Sequence, residues 1–249
     1  MNTELTIETT SLCNFRCTFC YNEDDQNDSL PNDKFYDLID EIYDLGIRRI
    51  DLTPDSGEIF TDRNALQKIM YACSRMKYVE FMTNMSLCYP YIQNELSKLD
   101  NLKIIISDYS AKGLESFKKI TNSSEDNYLN TVENVKYCKD NLLNAEFSKR
   151  IPYDNSDEKQ SNSGWCGNMF RPSISGNGDV YACSFKPNGN NHDLLLGNIY
   201  NDNLKSILSS KKRNDLIKNE LNSYCKACKD FSTSINPSLN DLKILKGLK

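Results

Sequence analysis

From residue 4 to about residue 150, short runs of strand character alternate with stretches of helical periodicity. This constrains the chain more than any other feature, because consecutive βα units assemble around a parallel sheet. Strand candidates fall at 5–9, 47–53, 78–83, 102–107 and 145–150. After the first, Phe35, Leu38, Ile39, Ile42 and Leu45 repeat at helical spacing, with Asn32 or Asp33 to cap the helix and Gly46 to close it. Leu66, Ile69, Met70, Cys73 and Met76 make a second stripe, Pro90 opens a third helix through Ile92, Leu96 and Leu99, and Leu129, Val132, Val135 and Cys138 mark a fourth. Five strands and four helices are too few for a closed eight-stranded barrel.

Parity along the strands adds a second constraint. Leu5/Ile7, Ile50/Leu52, Val79/Phe81 and Ala145/Phe147 share one side, whereas Thr6/Glu8/Thr10, Asp51/Thr53 and Glu146/Ser148/Arg150 share the other. Strands of a filled barrel are apolar on both faces. A polar second face predicts a lumen that holds a polar ligand, or else the exposed face of an antiparallel sheet, which the intervening helices disfavour.

Past residue 151 the texture changes. IPYDNSDEKQSNSG is a linker or lid, and Gly176-Asn177-Gly178 supplies a turn between strand candidates at 170–174 and 180–184. A polar helix is predicted over about 203–221, with Leu204, Ile207, Leu208, Leu216, Ile217 and Leu221 inward, before a Lys-rich tail. The expected fold is therefore α/β: a partial (β/α) TIM-like barrel over 1–150, a small C-terminal domain of β-hairpin plus helix over 151–232, and a tail over 233–249.

With 39% hydrophobic and 26% charged residues and a net charge of -5, the composition argues for a folded chain without a membrane span and without the basic surplus that binds nucleic acid. Ten cysteines accompany one histidine, and His192 lies in the polar stretch PNGNNHD, where a solvated loop residue is expected. MNTELTIETT carries no export signal, so the expected location is cytoplasmic, where clustered cysteines read as metal ligands or catalytic thiols rather than disulfides.

The sharpest cluster is Cys13-Asn14-Phe15-Arg16-Cys17-Thr18-Phe19-Cys20, directly after the first strand, at the rim where α/β folds place active sites. Three thiolates in so short a loop can wrap one iron–sulfur cube and leave one iron open; the alternative is a structural zinc loop with a distant fourth ligand. The spacing C-x₃-C-x₂-C, with Phe19 before the last cysteine and Tyr21 after it, resembles the signature of radical S-adenosylmethionine (SAM) enzymes. That resemblance implies a [4Fe–4S] cluster on Cys13, Cys17 and Cys20, with SAM on the open iron cleaved to a 5′-deoxyadenosyl radical that abstracts a substrate hydrogen atom. It also implies an electron donor such as flavodoxin or ferredoxin. Ser56-Gly57-Glu58 is similar to the family's Gly-Gly-Glu turn, which binds the SAM amino group, with Ser56 replacing the first glycine. Thr83-Asn84-Met85 is similar to its Thr-Asn-Gly, and Ser107-Asp108 falls where a polar residue contacts the ribose. Phe19, Ser56, Gly57, Glu58, Asn84, Ser107 and Asp108 are thus the expected SAM-site residues.

Cys166-x₁₆-Cys183-x₄₁-Cys225-x₂-Cys228 is a second constellation, sufficient for either a [4Fe–4S] cube or a tetrahedral zinc. Beside the first loop it resembles the twitch domain, half of the longer SPASM domain, and no cysteine follows Cys228. One auxiliary [4Fe–4S] cluster is implied, closed by four thiolates and suited to accepting an electron. The layout resembles radical SAM dehydrogenases of aminocyclitols, which implies dehydrogenation of a small polar metabolite; peptide maturases share the layout and are the rival reading, with a non-catalytic zinc or iron–sulfur module the third. Arg150, as a clamp for a carboxylate or hydroxyl, and Glu8, as an amine ligand or proton acceptor, are the catalytic candidates, although Glu8 or Glu146 could equally pair with Arg150. Cys73 and Cys138 on apolar stripes read as buried thiols.

Overall fold

The computed structural model describes residues 4–20, 28–54, 57–141, 144–148, 166–184 and 194–218. Five parallel strands, β1 (Glu4–Ile7), β2 (Arg49–Asp51), β3 (Tyr78–Thr83), β4 (Leu102–Ile106) and β5 (Ala145–Phe147), lie side by side in chain order. Between them run α1 (Asn32–Asp44), α2 (Ala65–Arg75), α3 (Pro90–Leu96), α4 (Leu114–Thr121) and α5 (Glu125–Asn141). This is the expected partial barrel.

The strand parity sorts as the sequence implies. Leu5, Ile7, Ile50, Leu52, Val79, Phe81 and Ile106 are completely buried in one core with Phe35, Ile39, Ile42 and Ile69 of the helices. Each such side chain contributes on the order of 1.5–3 kcal/mol by leaving water. Register places Thr6, Asp51, Glu80 and Lys103 side by side on the opposite face, so the polar residues form one continuous lining. Gly46, at φ +80°, takes the left-handed turn that ends α1, as expected.

The helices differ from expectation in three places. The LESFKKIT segment of α4 offers only Phe117 and Thr121 as buried residues, too sparse a stripe to announce a helix, and Asn122 in the left-handed region terminates it. Leu129, expected inside, is exposed; α5 instead buries Thr131, Asn134, Val135 and Cys138, and Asn134 Nδ2 donates to Met85 O at 2.8 Å. Met70 is likewise exposed, because α2 turns Ala65, Lys68, Ile69, Ala72 and Cys73 inward. Lys68 is buried because it has partners. Its ammonium pairs with Asp62 at 2.6 Å, donates to Leu30 O and lies over the Phe35 ring.

The C-terminal strands extend the barrel's own sheet. β6 (Ser173–Ile174) runs parallel to β1, β7 (Asp179–Tyr181) antiparallel to β6, and β8 (Leu195–Asn198) antiparallel to β7. The expected hairpin is present, and a third strand joins it. β1 is therefore paired on both sides, and the loop that follows it sits at the middle of the sheet. The single helix expected over 203–221 is divided into α6 (Leu204–Leu208), capped by Asn203 Oδ1 accepting from Ser206 N at 2.8 Å, and α7 (Lys211–Lys218). Among the described residues no helix is long and apolar enough to cross a membrane.

Removing the Lys68 ammonium leaves the buried Asp62 carboxylate without its cation. Lys68→Ala is expected to lower the unfolding free energy by about 3–5 kcal/mol, measured by urea denaturation; a loss under about 1 kcal/mol, as for an exposed pair, would contradict this reading.

Candidate functional site

The cysteine loop is held at its base and at its tip. At the base, Ser11 N donates to Asp28 O (2.9 Å), Asp28 N to Ser11 Oγ (2.9 Å) and Leu30 N to Thr9 O (3.0 Å), tying both limbs of the loop together. At the tip, Phe15 is buried edge-to-face against Phe117 and Tyr109, with ring centroids at 5.3 and 6.3 Å. Arg16 N and Thr18 N donate to the carbonyls of Thr121 (2.8 Å) and Ile120 (2.9 Å) at the C-terminal end of α4, which satisfies carbonyls a helix end leaves without partners. The Arg16 guanidinium folds back onto Cys13 O at 2.7 Å. Phe19 is half-buried in the tight turn where Cys20 N donates to Cys17 O at 3.0 Å.

Cys13, Cys17 and Cys20 form no disulfide, and Cys20 is exposed. Burial pushes the Cys13 and Cys17 thiols up to about 12, and mutual repulsion within the loop adds to the rise. Burial opposes ionisation of Cys13 and Cys17, whereas cationic iron stabilises thiolates directly. The donor set therefore fits an iron–sulfur cube with three protein ligands.

The end of β2 packs directly onto this loop. A Cβ on Gly57 would lie 2.3 Å from Thr10 O, so only glycine fits. Glu58 N donates to Leu12 O at 2.8 Å. The Glu58 carboxylate turns to the end of β3, accepting from Thr83 Oγ1 at 2.6 Å and from Asn84 N at 2.8 Å. Burial raises its pKa to about 7 against those hydrogen bonds. Asn84 continues the network: its Nδ2 donates to Asn14 Oδ1 (3.2 Å), and its Oδ1 accepts from Ser86 N and Oγ. Asn14 Nδ2 in turn donates to Ser86 Oγ (2.7 Å) and Asn127 Oδ1 (3.1 Å). Met85 sits at φ +65°, which explains the glycine the family pattern places there; Thr83 Oγ1 holds the turn by accepting from Met85 N at 3.0 Å.

Ser107 N donates to Thr83 O at 2.9 Å, bringing Ser107 to the same rim. Asp108 accepts from Ser110 N and Ser110 Oγ and pairs with Lys139 at 3.3 Å. Glu8 is buried where the barrel meets β6, its Oε2 accepting from Gly176 N at 3.4 Å. Glu146 lies largely in solvent and pairs with Lys103 at 2.6 Å, which lowers its pKa. Ser56, Arg150, Cys225 and Cys228 lie outside the described residues. Cys166 and Cys183 are buried in one apolar cluster with Met169, Ala182 and Leu194. Cys73 and Cys138 are buried, as expected, and so is Cys88.

Deeper in the lumen, carboxylate oxygens of Glu4, Asp51 and Glu80 lie within 4.8 Å of one another. Arg171 (3.1 Å) and Arg49 (3.9 Å) both pair with Glu4, and Tyr78 donates to Glu80 Oε2 at 2.8 Å. Burial raises Asp51 to about 7, Glu80 and Glu4 adding to the effect against hydrogen bonds from Thr53. Sequence reasoning missed Glu80, although its parity with Asp51 was visible. It also missed Asn14, Phe15 and Asn127, which no periodicity marks.

The radical SAM superfamily profile matches residues 7–152, and the profile of the SPASM iron–sulfur cluster-binding domain matches 166–229. The chain belongs to the radical SAM superfamily, and its cofactors are SAM and two [4Fe–4S] clusters. No curated protein sequence matches it. Among solved structures, BtrN in complex with AdoMet and 2-DOIA is similar at 16% identity, with a TM-score of 0.65 over 97% of this chain and 98% of that one. Streptococcus suis SuiB bound to precursor peptide SuiA is similar at 13% identity and TM-score 0.61, over 92% of this chain and 70% of that one. The anSMEcpe structure with bound AdoMet and the Cp18Cys peptide follows at 14% identity and TM-score 0.54, over 91% and 86%. These likenesses show the fold.

Between its ordinary value of 3.8 and its value of about 7 in the folded protein, Asp51 holds a proton that the unfolded chain has released. Its contribution to stability is therefore present at acid pH and lost as pH rises toward 7. Asp51→Asn, which mimics the protonated form, is expected to flatten the stability–pH curve and to gain on the wild type as pH rises; parallel curves in denaturant titrations would contradict this.

Proposed function

We propose that this radical SAM enzyme dehydrogenates a small polar metabolite, an aminocyclitol or amino sugar. The observation that carries the reading is the charged, hydrogen-bonding lumen. Glu4, Asp51 and Glu80 converge below the rim on which the cysteine loop stands, and both arginines beside them pair with Glu4. A substrate ammonium or a set of hydroxyls complements such a lining. The likeness to BtrN, whose structure holds AdoMet and 2-DOIA, supports this substrate class.

Cys13, Cys17 and Cys20 would hold the SAM-binding cluster, and Cys166, Cys183, Cys225 and Cys228 the auxiliary one. When bound, the first supplies the 5′-deoxyadenosyl radical that abstracts a substrate hydrogen atom, and the second supplies the acceptor for the remaining electron. Phe19, Ser56, Gly57, Asn84, Ser107 and Asp108 surround SAM in this reading. Glu8, buried beside Gly176 N, takes the substrate proton, and Arg150 clamps a hydroxyl or carboxylate. Residues 1–150 then form the barrel, 151–232 the twitch domain and 233–249 a tail; flavodoxin or ferredoxin delivers the reducing electron in the cytoplasm.

The test is an anaerobic assay of the reconstituted protein with SAM, reductant and a panel of aminocyclitols, amino sugars and short peptides. The reading predicts deoxyadenosine together with a small-molecule product two hydrogens lighter. It also predicts that Glu8→Gln lowers turnover about 100-fold or more while uncoupled SAM cleavage persists. A redox-neutral product, or turnover of a peptide alone, would contradict it.

A further inference from the structure

The family pattern places the turn that ends in Glu58 against the SAM amino group, yet in this chain both Glu58 carboxylate oxygens are committed elsewhere. Oε1 accepts from Thr83 Oγ1 at 2.6 Å and from Phe60 N at 3.4 Å, and Oε2 accepts from Asn84 N at 2.8 Å. The side chain is buried, and no ion pair to it is seen among the described residues. What Glu58 holds is a strained turn. Met85 is a non-glycine residue in the left-handed region, costly unless its surroundings determine it. Thr83 Oγ1 fixes that turn by accepting from Met85 N at 3.0 Å while donating its own proton to Glu58. Asn84, the next residue, reaches Asn14 inside the cysteine loop at 3.2 Å, and Glu58 N anchors to Leu12 O on the near side of the same loop.

We propose that Glu58 is a positioning residue: it fixes the Thr83–Asn84–Met85 turn and, through Asn84 and Asn14, indexes the cysteine loop to the SAM-side rim, as a hydrogen-bonding group and not as the countercharge of the SAM ammonium. This rests on the radical SAM reading of the same site. The chemistry required of residue 58 is then a side chain of glutamate length with an acceptor for Asn84 N–H and a hydrogen-bonding partner for the Thr83 hydroxyl. Glutamine meets both demands without charge. It accepts from Asn84 N through its oxygen and donates to Thr83 Oγ1 through its amide, the hydroxyl then accepting where it had donated and the long contact with Phe60 N being given up. Alanine meets neither, and it leaves the buried Asn84 amide and the proton of the Thr83 hydroxyl without an acceptor.

The experiment uses the anaerobically reconstituted holoenzyme and two readouts: SAM affinity, followed by the change SAM causes in the EPR spectrum of the reduced cluster, and hydrogen exchange of the 83–86 segment. Wild type, Glu58→Gln, Glu58→Ala and Thr83→Val are compared. A SAM-dependent EPR change in the wild type establishes the underlying reading, and its absence sinks that reading separately from the proposal. The proposal expects Glu58→Gln to bind SAM within about threefold of wild type with 83–86 protected. It expects Glu58→Ala and Thr83→Val to lose tenfold or more in SAM affinity, with faster exchange across 83–86. Thr83→Val keeps the test alive if Glu58→Ala does not fold, because it breaks the same turn while the carboxylate remains. The proposal is overturned if Glu58→Gln loses tenfold in SAM affinity while 83–86 stays protected, since that isolates a charge contact with SAM. It is equally overturned if Thr83→Val binds SAM as the wild type does.

Discussion

Three thiols, two of them held protonated by burial, must meet on one face of an eight-residue loop, and most of the structure around them serves that convergence. Burial raises both Cys13 and Cys17, with Glu58 and Cys20 adding to the rise at Cys13 and Cys13 and Cys20 at Cys17, so without cationic iron the loop has no electrostatic reason to gather its sulfurs. The scaffold supplies the geometry through neutral contacts: a Phe15 anchor between Phe117 and Tyr109, two backbone bonds to the end of α4, and the asparagine network from Asn14 to Asn84 and Asn127. None of these brings a formal charge to the sulfurs.

Sheet topology decides why the loop can be so firmly held. Because β6 pairs with the free side of β1, the strand that launches the loop has neighbours on both sides, and the rims of β2, β3 and β4 approach it in succession. Gly57 shows how close that approach is, with Thr10 O standing where its Cβ would be. The same pairing carries Cys183, two residues past β7, into the sheet that bears the cysteine loop.

Legibility in the sequence followed the strength of the local signal. The strands were readable because apolar and polar residues alternate, and the cysteine spacing because ligand geometry tolerates few alternatives. α4 was not readable, since a helix that buries only Phe117 and Thr121 carries almost no periodicity, yet it is the element that docks the loop. Lys68 and Asn134 defeated the same logic from the other side: polar residues face inward where a partner is waiting, and the partners, Asp62 and Met85 O, are fixed only by the fold. Leu129 and Met70 took the outward positions that remained. The roles of Glu58 and Asn84 were legible as motif positions but not as contacts, because their hydrogen bonds run between strand ends distant in the chain.

In the proposed reading the two clusters differ in vacancy: three protein ligands at one, four at the other. The most direct test is the EPR spectrum of a reconstituted Cys13→Ala/Cys17→Ala/Cys20→Ala variant, reduced and recorded with and without SAM. The variant should retain about four irons per chain in a cluster ligated only by the C-terminal cysteines, and that spectrum should be unchanged by SAM. A shift on adding SAM would place an open iron at the auxiliary site and contradict the account.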